Sequence, residues 1–205
     1  KIIWIFNHYA TNTFLDHGGR HYCFAKYLMQ AGYKVKIFCA STVHNSRQNF
    51  IKDNKGFIER YCDNIPYVFV KARNYRGNGI RRILNIFDFY KSLYRATKRI
   101  DEKPDIIIGS SVHPLTCVAA IKISRRYKIR NIIEIRDLWP ESLVGYSFLR
   151  RYGLMTRILY LMERRIYALA DDIIFTMEGG RDYIIDKGWD SSNGSIINLN
   201  KVHYI

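Results

Sequence analysis

Histidines, hydroxyl residues, glycines and carboxylates gather at a few places in this sequence, each directly after a short apolar run. The first is NHYATNTFLDHGGRHY, where Gly18 and Gly19 precede a helical pattern and are flanked by His17, Arg20 and His21. A glycine pair lets a ligand approach backbone N–H groups, and the helix N-terminus behind it favours an anion. The same pair serves an ordinary turn equally well. The second place is GSSVHPLTC, with Ser110, Ser111 and His113 ahead of Pro114, a residue suited to a first helical turn. A histidine there can transfer a proton near neutral pH, hydrogen-bond a hydroxyl, or simply cap and pack. The third is IEIRDLWPES, where Arg136 and Asp137 are followed by Trp139, Pro140 and Glu141. That charge pair can be a structural salt bridge or can hold a polyhydroxylated ligand, and Trp139 reads as a packing lid more readily than as a stacking platform. Neither GxGxxG nor GxxxxGK[ST] occurs, which disfavours nicotinamide cofactors and P-loop chemistry.

The charge balance points to an anionic partner. Lys and Arg number 33 against 18 Asp and Glu, a formal net charge of +15, more than solubility requires. A nucleic acid, an anionic membrane surface and a phosphorylated small molecule all fit that sign. The four cysteines, Cys23, Cys39, Cys62 and Cys117, are widely spaced, with no CxxC and no neighbouring histidine pair to complete a zinc site. They are expected to be isolated reduced thiols in a cytoplasmic protein, with no metal. No apolar run approaches the roughly 20 residues that cross a bilayer, and no secretory signal pattern opens the chain.

The elements that must position these residues follow from hydrophobic periodicity. Strands are predicted at 2–6, 33–40, 67–71, 105–109, 131–135, 172–176 and 195–199, several of them nearly unbroken in apolar character, as parallel strands covered on both faces require. Helices are predicted at 19–30, 80–100, 115–127, 156–168 and 179–186. This alternation gives an α/β fold with a doubly wound, mostly parallel sheet in one domain over residues 1–205. The polar stretch 42–61 reads as an irregular excursion. Ligands of such sheets bind outside the carboxyl ends of the strands, which is where the three clusters lie.

Five pieces together carry a resemblance: HGGRH, SSVHP, EIRDLWPES, ERRIYALADDIIF and GGRDYIIDKG. The chain resembles the N-terminal half of bacterial glycosyltransferase family 4 enzymes, in particular those that build surface polysaccharides and transfer amino-sugars such as fucosamine. The resemblance implies one Rossmann-like half of the two-domain GT-B architecture, with the active site in the cleft between the halves. It implies transfer of a sugar from a nucleotide-sugar donor to a hydroxyl, with retention, and without a metal or other cofactor. By the same resemblance Gly18 and Gly19 approach the donor diphosphate, and His113 lies near the reacting sugar, hydrogen-bonding a hydroxyl before abstracting a proton. Arg136, Asp137 and Glu141 stand beside the acceptor, and Glu178 of TMEGG occupies a place where relatives carry a small or polar residue. The segment around Glu163 is read as structural. The family continues past NLNKVHYI with an Asn-Gly turn and a donor-binding domain. The 205 residues are therefore expected to be half of an enzyme and inactive alone.

Two basic, aromatic-rich segments refine the charge argument. In RNYRGNGIRRILNIFDFYKSLYRATKR, residues 73–99, Ile83, Phe87, Tyr90 and Tyr94 share a helical face among interleaved Arg and Lys, and 148–167 repeats the pattern. Such helices suit the interface of an anionic bilayer, each surface cation contributing on the order of 1 kcal/mol. The expectation is peripheral attachment to the inner face of the bacterial plasma membrane, with a lipid-linked glycan as acceptor. The competing readings are a basic nucleic-acid-binding module, against which no recognised nucleic-acid motif appears, and a non-catalytic nucleotide- or sugar-binding protein.

Overall fold

The computed structural model describes residues 1–77, 79–190 and 197–205. Among these described residues, eight strands and seven helices follow in the order β1 (Ile2–Phe6), α1 (Thr11–Leu15), α2 (Arg20–Gln30), β2 (Lys34–Ala40), β3 (Phe57–Cys62), β4 (Ile65–Val70), α3 (Ile80–Arg99), β5 (Ile106–Ser110), α4 (Pro114–Tyr127), β6 (Arg130–Ile135), α5 (Glu141–Gly145), α6 (Leu154–Leu169), β7 (Asp172–Phe175), α7 (Gly180–Asp186) and β8 (Val202–Tyr204). They form one sheet, β3-β4-β2-β1-β5-β6-β7-β8, parallel except for the β3–β4 hairpin.

Strand alternation produces the layers. Trp4 and Phe6 of β1 enter a core with Phe89 and Leu93 of α3, while Ile3 and Ile5 enter a second core with Tyr22 and Ala25 of α2. Burial on both faces is the reason these strands read as continuous apolar runs. Each fully buried large side chain contributes about 1.5–3 kcal/mol of transfer free energy. The sheet order reverses between β1 and β5: the chain winds outward through β2 and β4 on one side and through β6, β7 and β8 on the other. Such a switch point opens a crevice at the carboxyl ends of the two strands, here beyond Phe6 and Gly109, which pair with each other.

Two predictions need correction, and the helix α3 sorts its faces in a way the sequence left open. The stretch read as an irregular excursion ends in β3, whose exposed polar residues Glu59 and Arg60 hide its period because it is an edge strand. The strand expected at 195–199 is displaced: Ser195 and Ile196 lie outside the described residues, Ile197 makes an isolated bridge to Asp190, Leu199–Lys201 is a 3-10 turn, and the strand is Val202–Tyr204. The stripe Ile83-Phe87-Tyr90-Tyr94 is not the face of α3 that packs on the sheet. Asn85, Phe89, Leu93, Ala96 and Thr97 do so, leaving Ile83 and Phe87 exposed and Tyr90 and Tyr94 at the margin. No described helix is long and apolar enough to cross a membrane.

Candidate active site

The glycine pair ends in a residue that must be glycine-like. Gly19 caps α2 at φ +88, and a Cβ there would stand 3.1 Å from Cγ2 of Thr13. The turn delivers Arg20 and His21 to the sheet, where both meet Glu134 near the end of β6. Arg20 Nε donates to Glu134 Oε1 at 2.5 Å, and His21 Nε2 lies 2.8 Å from Oε2. Asn7, the residue after β1, completes the chain. Its Oδ1 accepts from the Tyr9 N–H, so its Nδ2 faces His21 Nδ1 at 2.7 Å. An amide donor on one ring nitrogen and a carboxylate on the other fix the tautomer with the proton on Nε2. Glu134 is 1% exposed. Burial alone would raise its pKa, but the His21 hydrogen bond and Arg20 outweigh it and hold the carboxyl down to about 2.

A second buried pair lies at the same crevice. His113 caps α4 in an extended conformation with Pro114 behind it, and its Nε2 lies 2.6 Å from Nδ1 of His8, which follows β1. His8 stacks on Phe89 with centroids 4.4 Å apart, and the two imidazoles meet edge to face. Burial, then the positive charge of Arg82, lowers the His113 pKa to about 3; burial and His113 itself push His8 down as well. Two neutral rings can share one hydrogen bond, one donating and one accepting. The other nitrogen of His113, Nδ1, is buried without a protein partner.

The remaining predicted residues fall into different surroundings. Ser110 is buried at the end of β5, in register with Glu134. The hydroxyl of Ser111 accepts from the backbone N–H of Arg136 at 3.0 Å and so ties β5 to the turn after β6. Arg136 is half-buried and Asp137 exposed, and among the described residues no ion pair joins them. Of the two readings of this pair, the structural salt bridge is not formed. Trp139 packs in a small hollow with Pro114, Cys117 and Tyr167, after which Pro140 caps α5. Glu141 accepts from Tyr160 Oη and from Lys187 Nζ at 2.8 Å, with Arg151 at 3.4 Å, so it braces α5 against α6 and α7. Glu178 is exposed before α7. His17 turns to the β3–β4 connection, where Nδ1 lies 3.0 Å from Asp63 Oδ2. Glu163 is buried and accepts from Tyr167 and Tyr183, as a structural residue would; burial raises its pKa to about 8 against those two bonds.

Sequence reasoning missed Glu134, Asn7 and His8. The signals were there: one carboxylate inside the apolar run NIIEI, and Asn-His at the exit of the first strand. A charge in a strand covered on both faces has to be paired.

The Glycosyltransferase Family 4 description matches residues 22–198. No curated protein matches the sequence. Among solved structures, LpCGTa in complex with UDP is similar with a TM-score of 0.57 and 10% identity, over 100% of this chain and 53% of that one. TcCGT1 in complex with UDP is similar with a TM-score of 0.53 and 11% identity, over 99% of this chain and 50% of that one. The chain thus spans about half the length of these structures, and at such identity the likeness concerns the fold, a Rossmann-like half of the GT-B architecture. With the family's pattern running through most of the sequence, this chain belongs to glycosyltransferase family 4.

Proposed function

We propose that the chain is the N-terminal, acceptor-side domain of a retaining glycosyltransferase that moves a sugar from a nucleotide-sugar donor to a lipid-linked glycan in bacterial surface polysaccharide synthesis. A second domain would carry most of the donor contacts. The observation that carries the reading is the convergence on Glu134: residues after β1, at the start of α2 and in β6 meet at the crevice where the sheet order reverses. This fixes the Gly18–Gly19 turn and the N-terminus of α2 at one place, where backbone N–H groups can meet a departing diphosphate without reorganising.

His113 fits binding better than proton abstraction. A ring held near pKa 3 is a poor base at neutral pH, whereas its Nδ1 lacks a partner, and a sugar hydroxyl could satisfy it once the side chains that leave His113 only 2% exposed give way. The apolar surface supports membrane attachment. Ile80, Ile83 and Phe87 of α3 are exposed, as are Tyr146, Phe148, Tyr152, Leu154 and Leu161 before and along α6, with Arg81, Arg150, Arg151 and Arg157 close by in sequence. Exposed apolar surface of this extent marks an interaction site, and cations beside it suit an anionic bilayer.

The test is transfer by the complete gene product from nucleotide-sugars to an undecaprenyl-diphosphate-linked sugar, with the product's anomeric configuration read by NMR. Retained configuration is expected, together with weak donor binding and no turnover by the 205 residues alone. An inverted product removes the retaining assignment. Tight binding of random RNA or DNA in a gel shift, with no transfer from any donor, overturns the whole reading.

A further inference from the structure

His17, Cys62 and Asp63 take no part in the crevice, yet the fold brings them together from two distant segments. His17 ends the turn before Gly18, Cys62 is the last residue of β3, and Asp63 opens the turn to β4. The three candidate ligand atoms lie within 4.8 Å of one another. His17 Nδ1 is 3.0 Å from Asp63 Oδ2 and 3.4 Å from Cys62 Sγ, and Sγ is 3.8 Å from the same Oδ2. A tetrahedral zinc ion, with Zn–S about 2.3 Å and Zn–N and Zn–O about 2.0–2.2 Å, sets its ligand atoms roughly 3.3–3.6 Å apart. The observed separations bracket that range, so small side-chain rotations suffice to place all three on one ion.

The surroundings fit the same reading. Cys62 is buried, its Sγ 3.6 Å from the carbonyl oxygen of Phe14, and it forms the floor. His17 and Asp63 are more than half exposed and leave a way in from solvent. Tyr22 Oη donates to Asp63 Oδ2 at 2.7 Å, the kind of outer partner that orients a ligating carboxylate. A thiolate and a carboxylate together balance a divalent charge. One sulfur, one imidazole and one oxygen select a borderline ion such as zinc over magnesium or calcium, which demand oxygen.

We propose that His17 Nδ1, Cys62 Sγ and Asp63 Oδ2 form a three-ligand site for a zinc-like divalent cation, with water in the fourth position, that cross-links the turn before Gly18 to the β3–β4 hairpin. On binding, Cys62 releases its thiol proton to solvent, His17 presents the Nδ1 lone pair with its proton on Nε2, and the cation takes the place of the His17–Asp63 hydrogen bond. This does not rest on glycosyl transfer and is tested without it.

The experiment is a cobalt(II) titration of the reduced 205-residue protein, followed by absorption, with zinc as competitor. The expected result is a saturable one-to-one thiolate-to-cobalt charge-transfer band with tetrahedral visible bands, displaced by zinc and untouched by excess magnesium. Cys62→Ser abolishes the band, whereas Cys23→Ser, which removes the exposed thiol, keeps it. His17→Ala weakens zinc binding more than tenfold, and Tyr22→Phe weakens it about 10-fold or more as an outer partner. Absence of a saturable band in the wild type, which involves no folding question, overturns the site. So does a band that survives Cys62→Ser in a variant whose circular dichroism matches the wild type.

Discussion

Glu134 Oε2 stands 2.8 Å from His21 Nε2, although 113 residues separate them, and both side chains are 1% exposed. A buried carboxylate is tolerable only when its partners are in place. Removing it leaves the buried His21 without its carboxylate and Arg20 without its ion-pair partner. Glu134→Ala is expected to cost about 3–5 kcal/mol at pH 7, measured by urea unfolding. The folded pKa of about 2 lies below the ordinary 4.5, so the stabilisation is present above pH 4.5 and is lost as pH falls through 2. The gap between wild type and variant should shrink over that window, and a constant gap would refute the ionised assignment.

Glu163 has the opposite sign. Its folded pKa of about 8 lies above the ordinary 4.5, so its favourable contribution is complete below pH 4.5 and is lost as pH rises through 8. Glu163→Gln keeps an acceptor for one of the two tyrosines, turns an N–H donor to the other hydroxyl oxygen, and cannot ionise. Its melting temperature relative to wild type should rise between pH 5 and 8. A flat difference across that range would show that the carboxyl is already ionised in the fold.

The hydrogen bond between His113 and His8 makes truncation a structural change as well as a functional one. His113→Ala would leave His8 Nδ1 unsatisfied in the interior and is expected to cost about 1–3 kcal/mol. The role of Nδ1 is better tested by His113→Asn in the complete gene product, with melting temperature and transfer measured together. Transfer at the wild-type rate in a stably folded variant removes His113 from the proposed sugar site.

Phe87 and Leu161 are 46% and 65% exposed, so Phe87→Glu with Leu161→Glu should change stability by less than about 0.5 kcal/mol each. Wild-type protein is expected to co-sediment with vesicles rich in anionic lipid at low salt, and the double variant to remain in solution. Equal sedimentation of the two would show that these side chains do not insert.

Gly109 is required by packing, since a Cβ there would lie 2.6 Å from Ala120 Cβ. The α4 helix crosses β5 too closely for any side chain. Gly109→Ala is expected to cost about 1–3 kcal/mol through overpacking, read as a lower urea midpoint with an unchanged slope.

The sequence by itself determined the α/β alternation, the parallel character of the sheet and the placing of chemistry at strand ends. Each of these depends on local periodicity and on the turn residues that end each run, and periodicity is written in consecutive residues. The edge strand β3 and the last strand stayed illegible because solvent on one side, or a short length, removes the apolar signal. Only the tertiary structure decided which charges pair: Arg136 and Asp137, adjacent in sequence, do not join, while Arg20, His21 and Glu134, more than a hundred residues apart, do. Pairing is set by which strand ends the sheet order brings together, and the cost of an unpaired buried charge then selects the partners, a constraint that distance along the chain does not express.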